Sequence, residues 1–394
     1  MPYSTSIHRE DLNKMEFKLT EEQRILQQTV KDFARDIIKP GVKERDDKCQ
    51  FPSEIIKMLG NLGLMGVVFP EEYGGAGMDT ISYAIAIEEL ARVDGALTLG
   101  VSAHNSLCTN HIYRFGNEEQ KKKHVVPLAK GEKLGAWGLT EPNAGSDAAS
   151  IETTAKLQDD KWILNGTKTF ITNGSVADVY VIMASTDRGK KKEGISAFIM
   201  EKGTQGMSIS KQSDKLGLLS SDTAELIFED CIIPKENLLG NLNEGYKDIM
   251  QILIGGRIGI GAMAVGIGRG ALEESMEYAK KRIQFGKPIA DFQAIQWMLA
   301  DIATELDAAR LLVYKAAYLK DKGLNYTKEA SQAKLFASEA GMKAALKAVQ
   351  IFGGYGYMRE YPVERYLRDV KLCEIGEGTS EIQRLIISRE LLKQ

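Results

Sequence analysis

A carboxylate near the end of the chain is the leading candidate for acid–base chemistry. Glu377 lies between Gly376 and Gly378, and glycine permits unusual backbone angles and the close approach of another molecule. Ser380 and Gln383 follow with the S-x-x-Q spacing of a capping box, which predicts a helix with Ser380 as its N-cap. A glutamate just outside a helix N-terminus is well placed to act as a general base, although a solvated turn carboxylate has the same pattern.

The composition narrows the class of protein around this carboxylate. The 394 residues are 43% hydrophobic and 27% charged, with a net charge of -3, which predicts a globular protein of two or three domains. A balance so close to neutral predicts neither nucleic acid nor an acidic membrane surface as a partner. The four cysteines are far apart, so we expect a reducing compartment and neither a disulfide framework nor a metal site. The N-terminal stretch has no signal-peptide pattern.

The hydrophobic patterning changes twice along the chain. We predict a helical N-terminal domain over residues 1–132, a β domain over 133–240 and a helical bundle over 241–394. Thr20 begins a capping box, and apolar residues in the last region follow a heptad spacing over residues 295–316. Arg257 interrupts the most apolar stretch, so we expect a helix buried in protein there and no membrane span.

Local patterns add three smaller predictions. Asn165-Gly166 is a turn signal after a strand, and the basic run at residues 188–192 is typical of an exposed hairpin end. A G-x-G-x-x-A match at residues 259–264 has the form of a dinucleotide fingerprint, but helix continues beyond it. Glycines that pack helices together are therefore the better interpretation of this match.

Several longer motifs occur in a fixed order along the chain. They include Leu-Thr-Glu-Pro-Asn-Ala-Gly-Ser-Asp at residues 139–147 and Glu-Gly-Thr-Ser at 377–380; the others lie at 164–173, 228–234, 282–288, 350–356 and 361–365. Together, over essentially the whole chain, they resemble the acyl-CoA dehydrogenase flavoprotein family, and they are most similar to its short-chain, butyryl-CoA type. The resemblance implies an α+β multidomain fold with a helical N-terminal domain, a β-barrel-like middle domain and a C-terminal four-helix bundle.

The activity that this resemblance implies is the FAD-dependent α,β-dehydrogenation of a short- to medium-chain acyl-CoA, branched and cyclic acyl groups included, to the 2-enoyl-CoA. Glu377 would remove the α-proton while hydride passes to flavin N5, and the electrons would go to electron-transferring flavoprotein. The family also implies a homotetramer, a dimer of dimers, in fatty acid or amino acid degradation. We expect a bacterial cytoplasmic protein, or one of the mitochondrial matrix if the chain is a mature eukaryotic form.

The resemblance also implies a site residue by residue. The flavin ring would contact Trp137, Leu139, Thr140, Ser146, Phe170, Ile171 and Thr172. The adenine dinucleotide half of a neighbouring subunit's FAD would contact Arg282, Phe285, Gln293, Gln350, Gly353 and Gly354, while Thr379 and Glu381 would lie at the pyrophosphate of the same subunit. The substrate would contact Ser146, Arg257 and Gly378.

The position of the base follows from the same resemblance. A related branch of the family has its glutamate at the residue before the arginine that Arg257 matches, but this residue is Gly256 here, so Glu377 remains. Burial beside an apolar acyl chain should raise the pKa of Glu377. The following helix N-terminus should oppose this by only about 0.3–1 kcal/mol.

Three positions bear on the substrate. Ile254 replaces an acid that commonly contacts the CoA arm, and Gly376 replaces a tyrosine that short-chain members commonly have before the base. The loss of this ring predicts a bulkier, branched, cyclic or longer acyl group than butyryl. Thr98 occupies the place of the arginine in glutaryl-type members, which disfavours a dicarboxyl substrate. Two other functions stay open: an acyl-CoA oxidase that uses oxygen, and a non-catalytic flavin-binding relative.

Overall fold

A computed structural model describes residues 18–393 of the chain. The stretch in which we expect no signal peptide therefore lies largely outside the described residues. Helix α1 (Glu21–Phe33) begins with the predicted capping box, because Gln23 N donates to Thr20 Oγ1 over 3.2 Å and Thr20 N donates to Gln23 Oε1 over 3.1 Å. The helices that follow are α2 (Val42–Asp47), α3 (Ser53–Asn61), α4 (Thr80–Ala91), α5 (Gly95–Ser102), α6 (Asn110–Phe115), α7 (Glu118–Gln120) and α8 (Val126–Ala129).

A sheet follows this helical region. Its strands are β1 (Gly135–Gly138), β2 (Thr154–Gln158), β3 (Lys161–Thr172), β4 (Val179–Ser185), β5 (Ile195–Glu201), β6 (Met207–Lys211), β7 (Thr223–Pro234) and β8 (Leu238–Leu239). The order is β6-β7-β3-β2-β4-β5-β8, and β1 pairs with β4 in parallel. Two antiparallel groups meet at a single parallel residue pair, Thr154 with Ser185. Alternate side chains from both groups form one apolar core, in which Trp162 packs edge-on against Phe198.

The predicted turn at Asn165-Gly166 is wrong, because β3 runs through both residues. Asn165 Nδ2 donates to Asp230 Oδ1 of β7, and the backbone N–H of Asp230 donates to Asn165 Oδ1. The register shifts there as in a β-bulge. The turn between β2 and β3 is made by Asp159 and Asp160, both with positive φ. By contrast, the basic run does form the connection between β4 and β5, over Arg188–Gly194.

The last region is again helical. It contains α9 (Gly245–Lys281), β9 (Ile283–Gln284), β10 (Lys287–Pro288), α10 (Gln293–Asp321), α11 (Thr327–Phe352), α12 (Val363–Ile375) and α13 (Ser380–Leu392). The predicted heptad residues of α10 are buried from Ile302 to Ala316, whereas Ile295 and Leu299 are half-buried. Gly323, with φ +66°, follows the end of α10. The predicted order of helical, β and helical regions is confirmed.

Helix α9 lies at the centre of the molecule. Among the described residues it is the one helix long and apolar enough to cross a membrane, and 78% of its most apolar window is buried in the protein. Its glycines allow this burial: a β-carbon at Gly259 would lie 2.7 Å from both Tyr83 Oη and Ser102 Oγ, and one at Gly266 would lie 2.3 Å from the Glu88 carbonyl oxygen. The G-x-G-x-x-A match therefore belongs to helix packing.

Candidate active site

Glu377 occupies the connection between α12 and α13 in a strained backbone conformation. Its φ is +54°, in the left-handed region that costs a residue other than glycine about 1–3 kcal/mol and occurs often at functional sites. Two side chains hold the next carbonyl: Lys334 Nζ and Gln383 Nε2 donate to Gly378 O over 2.7 and 2.9 Å. The surrounding protein therefore fixes the conformation that presents the carboxylate.

The predicted cap at Ser380 is wrong by one residue. Thr379 is the N-cap of α13, and its Oγ1 atom accepts from Ile382 N. Ser380 is already helical, and its buried hydroxyl has no partner among the described residues. Gln383 reaches back to residues 376–379, the base loop, rather than to the backbone of Ser380, because Gly378 O is the acceptor within its reach.

The carboxylate of Glu377 lies directly against helix α9. A β-carbon at position 256 would lie 1.9 Å from Glu377 Oε2 and 3.2 Å from Leu107 Cδ2. Positions 256 and 377, the two candidates for a catalytic glutamate, therefore converge on one place in the structure. The Glu377 carboxylate can occupy this place because residue 256 is glycine.

The environment of the carboxylate favours proton transfer near neutral pH. Glu377 Oε2 is shielded from solvent and has no hydrogen-bond partner among residues 18–393. Desolvation raises the pKa of Glu377 to about 7, while the charges of Lys334 and Arg257 act in the opposite direction. The expected increase in pKa is present, and a pKa near the working pH is the best compromise for a general base.

Arg257 is buried beside this carboxylate. Its Nη1 atom donates to Ser331 Oγ of α11 over 3.2 Å, and its Nε has no partner in the described part of the chain. Burial lowers the pKa of Arg257 to about 10, and Glu377 opposes that effect. A buried cation with an unused donor is suited to hold an oxygen atom of a bound molecule.

A pair of buried hydroxyls lies one turn further along α9. Tyr83 of α4 and Ser102 of α5 are hydrogen-bonded over 3.0 Å, and both contact the position of Gly259. Residues three apart on a helix have β-carbons about 5–6 Å apart. Tyr83 Oη is therefore no more than about 10 Å from Glu377 Oε2, and we refer to the Tyr83 and Ser102 hydroxyls as the hydroxyl floor.

The residues expected at the flavin ring meet at one end of β3. Thr169 N donates to Thr140 O over 2.9 Å, which joins β3 to the 139–147 loop. Lys168 is fully buried, and its Nζ atom donates to Leu139 O over 3.1 Å and pairs with Glu141 Oε1 over 2.5 Å. The structure thus brings Leu139 and Thr140 next to the β3 residues that follow Lys168, while Ser146 is exposed on the same loop.

The aromatic residues of this group differ in their surroundings. Phe170 is 70% exposed and has φ +59°, whereas Ile171 is buried and Thr172 half-buried. Trp137 is buried, and its Nε1 atom donates to His111 Nδ1 over 2.9 Å. Burial lowers the pKa of His111 to about 3, which keeps the ring neutral as an acceptor. An exposed aromatic face beside hydroxyl and peptide groups fits a planar ring with polar edges, such as a flavin.

The residues expected at the adenine dinucleotide form a second, separate group. Arg282 Cζ lies 5.2 Å from the ring centroid of Tyr355, close to the turn that contains Gly353 and Gly354. Phe285 is 93% exposed with φ +52°, and Gln293 and Gln350 are exposed as well. The rise of α9 places Arg282 about 39 Å from Gly256. Within one subunit, Arg282 therefore lies far from the Glu377 carboxylate, which contacts Gly256.

Sequence reasoning missed the buried polar residues that support these groups. They are Tyr83, Ser102, Glu141, Lys168 and Lys334. Glu141 and Lys168 belong to the recognised motifs without being singled out there. The signal for Lys334 was its position: it follows Ala330 by four residues and precedes Ala337 by three, so it falls on the buried face of α11.

The basic connection between β4 and β5 borders a cleft of about 600 Å³. The cleft is lined on its two sides by Ser150, Glu152, Arg188, Lys190, Lys191 and Lys192. Lys191 and Lys192 form no salt bridge with any residue of the described range. This surface therefore offers free positive charge next to the loop that carries Ser146.

The sequence matches three family models that together cover most of the chain. They are described as the acyl-CoA dehydrogenase N-terminal domain at residues 20–132, the middle domain at 136–231 and the C-terminal domain at 243–392. Among curated relatives, the short-chain specific acyl-CoA dehydrogenase of Clostridium acetobutylicum is 52% identical over 379 residues, which cover 96% of this chain and 100% of the relative.

Solved structures show the same likeness. The butyryl-CoA dehydrogenase of Megasphaera elsdenii is 48% identical with a TM-score of 0.94, over 96% of this chain and 100% of that one. A chain solved in a study of the electron transferring flavoprotein of Acidaminococcus fermentans is 51% identical with a TM-score of 0.95, over the same shares. These matches confirm the predicted fold class.

Proposed function

Because the chain belongs to the acyl-CoA dehydrogenase family, we propose that it converts a short-chain acyl-CoA to the 2-enoyl-CoA with Glu377 as the base. The observation that carries this proposal is the desolvated Glu377 carboxylate, which lies against Gly256 and has a pKa of about 7. A thioester makes its α-hydrogen only weakly acidic, so removal of this proton requires a positioned base. Arg257 would orient the thioester end of the substrate from the opposite side of the carboxylate.

The family is FAD-dependent, and the residues present fit this cofactor. The exposed face of Phe170, with Trp137, Thr140 and Thr172 nearby, would hold the ring system. When bound, FAD supplies the acceptor for the hydride that leaves the β-carbon. Lys168 would shape the site through the backbone. It holds the Leu139 carbonyl, and this bond would set the conformation of the loop that faces the ring.

The second group of predicted FAD residues supports an oligomer. Arg282 lies about 39 Å from Gly256 along α9, which is longer than an extended FAD molecule. With the flavin ring beside Glu377, the two groups within one subunit would therefore serve different cofactors, as in the homotetramer that the family resemblance implies. Thr379 and Glu381, next to the base, would remain with the cofactor of their own subunit.

The hydroxyl floor bears on the length of the acyl chain. If the chain runs along α9 from Glu377 towards Tyr83, the limit of about 10 Å minus a contact of about 3–3.5 Å at each end leaves room for at most two or three carbons beyond the α-carbon. Gly376 leaves lateral space, because a β-carbon there would contact only Leu372, at 3.5–3.9 Å. We therefore propose a main chain of four or five carbons, with room for a branch. Of the acyl groups that Gly376 predicts, this favours a branched one over a longer one.

A panel of acyl-CoA substrates tests both the reaction and this length. With butyryl-, isovaleryl-, octanoyl- and cyclohexanecarbonyl-CoA, we expect bleaching of the bound flavin without oxygen and a higher kcat/KM for butyryl- and isovaleryl-CoA than for octanoyl-CoA. Tyr83→Ala should raise kcat/KM for octanoyl-CoA about tenfold, since each additional buried CH₂ contributes about 0.8 kcal/mol. Tyr83→Phe, which removes only the hydroxyl, is the matched control. Preference of the unchanged enzyme for octanoyl-CoA would contradict the floor.

We propose that the basic cleft takes the phosphate end of CoA. Gly245, the first residue of α9, packs against Ser196, just after the basic connection. The rise of α9 from there to Gly256 is about 16 Å, which is comparable to an extended pantetheine arm. The free ammonium groups of Lys191 and Lys192 could therefore meet the phosphates while the thioester lies at Glu377.

Replacing Lys190, Lys191 and Lys192 together with glutamine should raise KM for butyryl-CoA about tenfold, because a hydrogen bond to a charged group contributes about 1.5–3 kcal/mol. The same variant should be unchanged towards butyryl-pantetheine, which lacks the phosphates. Glutamines at Lys121, Lys122 and Lys123, a second lysine run, are the matched control and should leave both KM values unchanged. An equal change in both KM values would show that the loop acts through the fold instead.

The electron acceptor separates the remaining alternatives. We propose transfer to electron-transferring flavoprotein, in the cytoplasm of a bacterium. Oxygen consumption with butyryl-CoA in the absence of an acceptor protein would identify an oxidase. Absence of flavin bleaching by any acyl-CoA of the panel would favour a non-catalytic relative.

A further inference from the structure

A buried lysine that the reaction scheme does not use lies under the base loop. Lys334 of α11 is 0% exposed. Its Nζ atom donates to Gly378 O over 2.7 Å and forms no salt bridge with any residue in the range 18–393. Burial lowers the pKa of Lys334 to about 8, so the group is still mainly cationic at pH 7. A buried ammonium group with one neutral acceptor is costly to desolvate, so its position requires an explanation.

The groups that face Lys334 identify its charge partner. Burial raises the pKa of Cys373 to about 12, so this thiol is neutral. Glu374 is already paired with Lys371 over 2.5 Å, and Glu381 is exposed at the start of α13. The remaining neighbour on α9, Arg257, is itself a cation. Glu377, whose Oε2 atom is shielded from solvent, is thus the one carboxylate among these groups that is neither exposed nor engaged in a salt bridge.

The charged groups around the Glu377 carboxylate include Lys334 and Arg257. The groups that face Glu377 are Lys334 from α11, Arg257 from α9 and the Tyr83 hydroxyl from α4. Burial raises the pKa of Tyr83 above its ordinary value, so it stays neutral. Arg257 has Ser331 as a partner, whereas Lys334 is bonded to the residue next to Glu377.

We propose that Lys334 is a positioning residue for the base: its ammonium group anchors the Gly378 carbonyl and supplies the positive charge that keeps Glu377 ionised when substrate excludes water. The inference rests on the proposed role of Glu377. It explains why a strained Glu377 conformation and a buried cation occur together. The bond from Lys334 to Gly378 O holds the strained backbone, and the Glu377 charge offsets part of the cost of burying the ammonium group.

The pH dependence distinguishes this role from a merely structural one. Removing the cation should raise the pKa of Glu377, because a nearby opposite charge lowers the pKa of a carboxyl by about 1–3. In Lys334→Gln holoenzyme, the acid limb of flavin reduction by butyryl-CoA should move from near pH 7 to about pH 8. The rate at neutral pH should then fall about fivefold and recover at higher pH. Lys334→Arg, which keeps the charge, should keep the limb near pH 7.

Gln383→Leu is the matched control, because Gln383 donates to the same carbonyl without carrying a charge. It should lower the rate at every pH and leave the limb in place. The infrared carboxyl band that Glu377→Gln abolishes supplies a readout independent of turnover, and it should titrate about one pH unit higher in Lys334→Gln. Lys334→Met serves as a second variant if Lys334→Gln does not fold.

An unmoved acid limb and an unmoved carboxyl band in folded Lys334→Gln or Lys334→Met would overturn the proposal. So would a shift of equal size in Gln383→Leu, since that variant keeps the charge. Failure of the proposed function is distinguishable from these results, because Glu377→Gln would then still reduce the flavin rapidly.

Discussion

Glu377→Gln is expected to slow flavin reduction by butyryl-CoA about 10²–10⁴-fold, the usual contribution of a general base, while FAD remains bound. Glutamine has the same shape as glutamate, so the contact with Gly256 and the backbone of the base loop are preserved. What is lost is the acceptor for the α-proton, which the desolvated carboxylate supplies with a pKa of about 7. Rapid mixing under anaerobic conditions, followed by flavin absorbance, measures the effect.

The matched control for this substitution is Glu374→Gln. Glu374 is three residues away, but it is paired with Lys371, whose side chain is half-exposed, so its neutralisation should change the rate less than about twofold. If Glu377→Gln reduced the flavin as fast as the unchanged enzyme, the base would have to be another residue. Loss of FAD from the variant would instead show that Glu377 is structural.

Gly256→Ala is expected to reduce the same rate about 100-fold without unfolding the protein. The new methyl group would lie 1.9 Å from Glu377 Oε2, so the end of the flexible glutamate side chain must move away. A displacement of about 1 Å at a reacting group can cost about 10²-fold in rate. The main effect should be on kcat for flavin reduction, with a smaller effect on the binding of butyryl-CoA.

Gly255→Ala is the control one residue earlier on the same helix. Its β-carbon would contact only Lys320 Nζ and Tyr326 Oη, both at 3.7 Å, which is an ordinary packing distance. Alanine is favoured over glycine in a helix by about 1 kcal/mol, and this gain applies to both variants. Their melting temperatures should therefore be similar. Equal rates in the two variants would contradict the placement of the Glu377 carboxylate against Gly256.

Much of the architecture could be read from the sequence because it depends on local patterns. The capping box at Thr20, the heptad of α10 and the basic connection between β4 and β5 depend on residues close together in the chain, and all three are present. Only one of the two local errors arose where a distant residue decided the outcome, since Asn165 bonds to Asp230 of another strand. The other is a shift of one residue in the cap, because Thr379 caps the helix and Gln383 bonds to the Gly378 carbonyl.

For the candidate site, the sequence by itself determined the family through its ordered motifs, and it determined that a carboxylate between two glycines follows one helix and precedes the next. Only the tertiary structure decided what surrounds Glu377. Gly256, Tyr83 and Lys334 come from three other helices, and no pattern along the chain encodes a contact between residues so far apart. The pKa of Glu377 and the depth of the proposed acyl site depend on these contacts, because desolvation and distance are properties of the packed molecule.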